Sequence, residues 1–171
     1  MGNLEKLSQL TKDLVVLYVE DDSLLREKTA QMLRNLFKNV DATQNGKEGW
    51  EKYQEYNKDN DKYYDLVITD IKMPGMSGLE MSSMIRDLNS EIPIIITSAH
   101  SETEFFQEAI NIGINTFLLK PLDLTQLYCT IKITAENILL KRKTKEDKEI
   151  LELATFKLLE KDYELKDVIS N

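Results

Sequence analysis

The chain has 171 residues, of which 42% are hydrophobic and 30% are charged, and its formal net charge is −8. The length suits one compact domain with an appendage, and the composition is typical of a globular protein. The negative charge argues against direct nucleic-acid binding, which needs clustered Lys and Arg. No apolar run approaches the ~18 residues of a membrane span, so we expect a cytoplasmic protein with no membrane segment.

Between Leu14 and Pro121, short apolar runs alternate with helical patterns, as in βαβ units on a parallel sheet. In chain order, the predicted strands are Leu14–Val19, Asn39–Thr43, Leu66–Thr69, Ile94–Thr97 and Thr116–Leu119. The predicted helices are Ser23–Phe37, Lys47–Asn57, Gly78–Leu88, Glu102–Ile112 and a long one that begins near Leu122. Ser23 is the expected N-cap of the first helix, and the polar stretch Asn57–Lys62 is expected to be a solvated loop.

This alternation predicts an α/β fold of the flavodoxin-like (βα)5 kind, a doubly wound parallel sheet with strand order 2-1-3-4-5 and a C-terminal helical extension. Ligands of such sheets bind beyond the carboxyl ends of the strands, where the strand order reverses. The first and third strands should meet at that point, so the residues that follow them are the candidates for a site.

Acidic residues follow both of these strands. Glu20, Asp21 and Asp22 come after the first strand, and Asp70 comes after the third. Carboxylates that converge on one crevice repel each other unless a cation lies among them, and their hard oxygen ligands suit Mg²⁺. The alternative is that such acids only cap the next helix, which is the interpretation that we favour for Asp22.

Two further strand ends place complementary groups at the same edge of the sheet. Ser98 follows the fourth strand and Lys120 follows the fifth. The serine hydroxyl can donate to a phosphoryl oxygen, and the ammonium can neutralise charge at Asp70. Taken singly, Ser98 would be a helix cap and Lys120 a surface lysine; their joint placement favours a site for phosphoryl chemistry.

Four segments together resemble the receiver domains of two-component response regulators, in order and in spacing. They are Val-Glu-Asp-Asp at 19–22, Asp-Ile-Lys-Met-Pro-Gly-Met-Ser-Gly at 70–78, Thr-Ser-Ala at 97–99 and Lys-Pro at 120–121. The resemblance covers roughly residues 14–135. It implies that Asp70 is the phosphoacceptor for a sensor histidine kinase or a phosphotransfer protein.

The same resemblance implies roles for the other residues of the site. Mg²⁺ would be held by Glu20, Asp21 and Asp70 together with the backbone carbonyl of Lys72. Lys120 would contact the phosphoryl group, Ser98 would be the switch hydroxyl and Phe117 the rotating aromatic. The surface formed by the fourth helix, the fifth strand and the fifth helix would switch between two states, and the Lys120-Pro121 bond would be cis.

A protein of this kind is not an enzyme that acts on small substrates, but a phosphoacceptor with self-catalysed phosphoryl transfer and slow autodephosphorylation. The alternative is an Mg²⁺-dependent phosphatase or phosphotransferase with Asp70 as the nucleophile. Haloacid-dehalogenase-like phosphatases usually carry a second Asp two residues after the first, and Lys72 occupies that position here.

The predicted organisation is an N-terminal extension at residues 1–13, a receiver at 14–140 and a helical linker or signalling helix at 141–171. An apolar stripe should dock the last receiver helix, with Cys129 in the core; the stripe is Leu124, Leu127, Ile131 and Ile138. After a charged run, a second stripe recurs at three- and four-residue steps at Leu151, Ala154, Leu158, Leu165 and Val168. Such a stripe on an exposed helix predicts a homodimer through the C-terminal helix, which would lead toward an output module.

Overall fold

A computed structural model describes residues 2–60, 62–99, 103–114 and 116–169 of the chain, without the side chains of residues 3, 103 and 163–169. The strands are β1 Val15–Val19, β2 Asn39–Thr43, β3 Leu66–Asp70, β4 Ile94–Ser98 and β5 Thr116–Leu119. The helices are α1 Asn3–Thr11, α2 Ser23–Arg34, α3 Gly46–Asn60, α4 Gly78–Leu88, α5 Thr103–Asn111 and α6 Leu124–Ile169. None of these helices is long and apolar enough to cross a membrane.

The five strands form one parallel sheet in the order β2-β1-β3-β4-β5, which confirms the predicted fold. Strands β3 and β4 are buried along their whole length, and β1 is buried at every residue after Val15. Strands covered by helices on both faces need nearly continuous apolar sequence. This is why these strands were predictable to within one residue at either end.

Two predictions about the ends of helices are wrong. The N-cap of α2 is Asp22, whose Oδ1 accepts a hydrogen bond of 2.8 Å from the backbone N–H of Leu25, whereas Ser23 is the first helical residue. Helix α3 continues to Asn60, so most of the stretch expected to be a loop is helical. It contains no Gly or Pro to end the helix, and the Asn60 side chain donates to the carbonyl of Tyr56.

Helix α1 covers the amino-terminal edge of the sheet, opposite the strand ends that carry the acids. Leu7 and Thr11 are buried, and the Thr11 hydroxyl donates to the backbone carbonyls of Leu7 and Leu36. The Ser8 hydroxyl donates to the carbonyl of Asn35. The N-terminal segment therefore packs on the end of α2 as an ordered element.

Helix α6 is continuous through the charged run, as predicted. The chain divides into two compact units, Met1–Ala135 and Glu136–Asn171. Leu127, Ile131 and Ile138 are buried, but Leu124 is exposed, and so is Cys129, which was expected in the core. The error for Cys129 concerns its direction around the helix axis, whereas Leu124 shares a face with Ile131, seven residues on, but is the first residue of the helix. Cys129 lies only two residues from both Leu127 and Ile131, on a different face of the helix.

Candidate functional site

The acids that follow β1 and β3 come together at the carboxyl edge of the sheet. These strands are parallel neighbours, with Val19 opposite Thr69, so the next residues, Glu20 and Asp70, lie abreast. One carboxylate oxygen from each of Glu20, Asp21 and Asp70 lies within 4.8 Å of the others. Glu20 is 1% exposed and Asp70 is 8% exposed, whereas Asp21 is open to solvent.

Lys120 bridges the two buried acids. Its Nζ lies 2.7 Å from Glu20 Oε2 and 2.7 Å from Asp70 Oδ2. The backbone N–H of Lys120 donates to the carbonyl of Ser98, which fixes the start of this side chain beside the end of β4. The Lys120-Pro121 bond is cis, as the resemblance implied.

Burial and charge act in opposite directions on this ion pair. Burial raises the pKa of Glu20, and the ammonium of Lys120 offsets part of the rise. Burial alone would lower the pKa of Lys120, but the hydrogen bonds to Asp70 and Glu20 outweigh it, and the net pKa is raised. Two acids share one ammonium, so the buried part of the site carries excess negative charge.

The backbone around Asp70 is held from several sides. Asp70 Oδ1 accepts a hydrogen bond of 2.7 Å from the N–H of Ile71, so both carboxylate oxygens of Asp70 have donors. The hydroxyl of Thr69 donates to the Asp70 carbonyl over 3.0 Å. The N–H of Gly78 donates to the carbonyl of Ile71, which brings the start of α4 against the end of β3.

The residues expected to form the switch lie on β4 and β5. Ser98 is buried at the end of β4 and lies opposite Leu119 of β5. Phe117 is partly buried, and its ring meets that of Phe106 on α5 edge to face, with 4.9 Å between centroids. Lys72 is exposed, and its Nζ lies 4.9 Å from the ring centroid of Phe105.

Two residues of the site were not identified from the sequence. The guanidinium of Arg26 on α2 donates to the backbone carbonyls of Glu20 and Asp21, at 2.7 and 3.0 Å, and so fixes the acidic turn. Tyr18 on β1 is fully buried with its hydroxyl near Glu20 and Asp70. From the sequence, a Tyr in a buried strand is predicted to be a core residue. The one signal for a role in the site was its spacing of two from Glu20, which places both residues on the same face of the sheet.

The donor set fits a hard divalent cation. It consists only of carboxylate oxygens, one exposed and two buried, and one lysine does not neutralise three acids. Mg²⁺ takes a small number of carboxylates and keeps its remaining positions for water and phosphate oxygens. A carboxylate with an adjacent ammonium and a cation site is the arrangement that phosphoryl transfer requires.

The family model for the response regulator receiver domain matches residues 16–132. The chain belongs to the response regulator receiver domain family. It is 31% identical over 125 residues to the two-component response regulator ARR12 of Arabidopsis thaliana, an alignment that covers 73% of this chain and 20% of that protein. The matched segment spans only 20 to 30% of the length of ARR12, of a cyclic di-GMP phosphodiesterase from Thermotoga maritima and of the transcriptional regulatory protein ZraR from Escherichia coli O157:H7.

Solved structures agree with this assignment. The receiver superposes on the N-terminal domain of the uncharacterized protein WS1339 from Wolinella succinogenes with a TM-score of 0.67 and 34% identity, covering 75% of this chain and 98% of that one. It superposes on the receiver domain of the histidine kinase CKI1 from Arabidopsis thaliana, complexed with Mg²⁺ and BeF₃⁻, with a TM-score of 0.65 and 25% identity, covering 78% and 97%. Receiver domains bind Mg²⁺ at an acidic site and interact with histidine kinases and phosphotransfer proteins.

Proposed function

We propose that this receiver accepts a phosphoryl group on Asp70 from a sensor histidine kinase or a phosphotransfer protein. The observation that carries the proposal is the bridge from Lys120 to both Asp70 and Glu20. An Asp70 oxygen attacks the phosphorus of a phosphohistidine; an O–P bond forms, the P–N bond breaks and the imidazole leaves with its electron pair. Lys120 stabilises the negative charge on the transferred group.

Mg²⁺ would be held by Glu20, Asp21 and Asp70, with the backbone carbonyl of Lys72 as a further ligand. When bound, it neutralises charge on the phosphoryl oxygens. The short loop that begins with Asp70 and Ile71 is held to β4 and α4 by backbone hydrogen bonds from Ile71 to Thr97 and from Gly78 to Ile71. These contacts support a preorganised site, because they fix the backbone on either side of Lys72.

The output of phosphorylation is a change in the surface formed by α5, β5 and the first part of α6. The new phosphoryl group brings about −1.5 to −2 charges and strong acceptor oxygens to Asp70. The Ser98 hydroxyl turns toward it, and Phe117 turns inward into the space that this movement vacates. A two-state element biased in this way is sufficient for signalling.

We further propose that the chain is a phosphoacceptor and not a phosphatase of the haloacid-dehalogenase-like kind. The position two residues after Asp70 carries Lys72, whose ammonium lies over Phe105. It supplies no second carboxylate to act as a general acid. Asp70 would therefore be reset by slow hydrolysis of its own acyl phosphate.

The proposed organisation is an N-terminal extension at residues 1–13, a receiver at 14–140 and a signalling helix at 141–171. The signalling helix pairs between two chains and leads toward an output module. We place the protein in the cytoplasm. Two of the relatives are several times longer than this chain, which supports an output module outside this segment. The net charge of −8 supports an output that does not depend on direct nucleic-acid contact by this chain.

The proposal is tested by incubation with acetyl phosphate and Mg²⁺ followed by intact-mass spectrometry. We expect one added phosphoryl group in the wild type and none in Asp70→Asn. Asp22→Asn is the matched control, because Asp22 is a nearby acid that caps α2 and should leave labelling intact. Single-site labelling of Asp70→Asn would show that another residue is the phosphoacceptor.

A further inference from the structure

Tyr18 has a buried hydroxyl group next to the acidic site. The residue is 0% exposed in β1, an interior strand between β2 and β3, and its hydroxyl forms no hydrogen bond of normal geometry with any residue that the structure describes. Thr29, Glu20 and Asp70 all lie near enough to interact with this hydroxyl. A buried hydroxyl without a partner is costly, so native proteins rarely leave one unused.

Glu20 has acceptor capacity to spare. Its Oε2 accepts from Lys120 over 2.7 Å, but among the residues that the structure describes its Oε1 has only a long contact of 3.4 Å, from the N–H of Asp22. Each carboxylate oxygen can accept two hydrogen bonds. Lys120 cannot orient Glu20 by itself, because its ammonium is shared with Asp70.

The two groups lie on the same face of the sheet. Residues two apart in a strand point to one side, and Thr29, a buried residue of α2, lies near the Tyr18 hydroxyl. A tyrosine phenol keeps its proton at neutral pH, because its ordinary pKa is about 10. It is therefore available only as a neutral hydroxyl that can donate.

We propose that the Tyr18 hydroxyl donates a hydrogen bond to the Glu20 carboxylate and is a positioning residue for Mg²⁺ binding. The inference rests on the proposed assignment of Glu20 as a metal ligand. Glu has one more side-chain torsion than Asp, so a second donor that restricts it lowers the entropy lost when the metal binds. Hydrogen-bonded neighbours of metal ligands typically affect affinity by about 10-fold or more.

The test compares Tyr18→Phe with Tyr53→Phe by calorimetric titration with Mg²⁺ alone. Tyr53 is the matched control, because it is also 0% exposed with an unpartnered hydroxyl, but lies in α3 near Asn89 and Arg86. We expect Tyr18→Phe to weaken Mg²⁺ binding about 10-fold and Tyr53→Phe to leave it unchanged. Thermal unfolding of both metal-free variants separates this effect from a general loss of stability.

A double-mutant cycle with Glu20→Gln tests whether the effect passes through Glu20. We expect Tyr18→Phe to cause no further loss of Mg²⁺ affinity in the Glu20→Gln background. Equal Mg²⁺ affinity of Tyr18→Phe and the wild type would overturn the inference. So would a Tyr18→Phe substitution that lowers Mg²⁺ affinity as much in the Glu20→Gln variant as in the wild type. Labelling of Asp70→Asn by acetyl phosphate would instead refute Asp70 as the phosphoacceptor. The Mg²⁺ titrations of the Tyr18→Phe and Glu20→Gln variants do not depend on that result.

Discussion

Gly78 lies so close to Asp70 that a Cβ at position 78 would fall 1.8 Å from the backbone carbonyl oxygen of Asp70. No side chain can be accommodated at that distance unless the start of α4 moves away from the end of β3. The obstacle is backbone, which cannot rotate out of the way as a flexible side chain would. Gly78 therefore sets how tightly α4 closes against the residue that carries the site.

We expect Gly78→Ala to destabilise the fold by about 1 to 3 kcal/mol, the usual cost of overpacking, and to lower the rate of labelling by acetyl phosphate. Urea unfolding gives the first quantity and intact-mass spectrometry the second. Gly75→Asn is the control: Gly75 has a φ of 79° with nothing within 4 Å of its Cβ position, and Asn tolerates that conformation. If Gly78→Ala were as stable as Gly75→Asn, this packing would not constrain the site.

The sheet and the acidic cluster were accessible from the sequence because they depend on local pattern and topology. Buried parallel strands are apolar throughout, and the strand order places the residues after β1 and β3 side by side. The positions of Glu20, Asp70 and Lys120 at one edge follow from that alone.

What could not be predicted depends on side-chain direction. The bridge from Lys120 to both acids is a choice among rotamers of a long side chain that reaches past β4. The wrong assignments of Ser23 and Cys129 are errors of one position or a fraction of a helical turn, whereas Leu124 lies on the predicted face but at the first position of α6. Helix α1 is a short segment with a single fully enclosed polar anchor, Thr11, and its order comes from packing on α2 rather than from its own propensity.

Replacing the acids of the site by amides should separate metal binding from stability. We expect Asp21→Asn to weaken Mg²⁺ binding severely while the free energy of unfolding stays equal or rises, because Asp21 is exposed and its removal relieves repulsion. Glu20→Gln should weaken binding as well, with Lys120 still held by Asp70. Calorimetric titration and urea unfolding measure the two effects. A double variant, Glu20→Gln with Asp21→Asn, that binds Mg²⁺ like the wild type would place the metal elsewhere.

The capping box of α4 gives a pH dependence whose sign is fixed. The Glu80 carboxylate accepts from the N–H of Ser77 over 2.7 Å, while the Ser77 hydroxyl accepts from the N–H of Glu80. The backbone N–H and the side chain of Ser77 lower the pKa of Glu80. A lowered pKa means that the stabilisation is present above the usual pKa of a glutamic acid and is lost as the pH falls through the folded-state value.

We therefore expect Glu80→Gln to be less stable than the wild type at pH 7 and nearly equal to it at pH 3, since protonated Glu resembles Gln. Urea unfolding at a series of pH values checks this. Ser77→Ala should reduce stability at both pH values, because loss of the serine hydroxyl as an N-cap does not depend on a proton. A difference between Glu80→Gln and the wild type that widens on acidification would contradict the assignment.

The exposed apolar residues of α6 between Ile150 and Leu159 fall into two series. Leu151 and Leu158 are seven residues apart and share one face, at 68% and 69% exposure. Ile150, Leu153, Phe156 and Leu159 follow each other at three-residue steps elsewhere around the helix, each more than half exposed. The continuation of the first stripe at Leu165 and Val168 lies outside the side chains that the structure describes. One partner helix would cover only one of these faces.

We expect the first face to form the seam between two chains, because its seven-residue spacing is that of a coiled coil, whereas steps of three drift around the helix. Sedimentation velocity should show weak self-association of the full chain that is lost on truncation at Leu140 and strengthened by beryllofluoride with Mg²⁺. Replacing Leu151 and Leu158 together by Glu should abolish association, and Phe156→Glu, on the second face, should preserve it. An association state that the truncation leaves unchanged, with and without beryllofluoride, would exclude pairing through this helix. Loss of association in Phe156→Glu alone would move the seam to the second face.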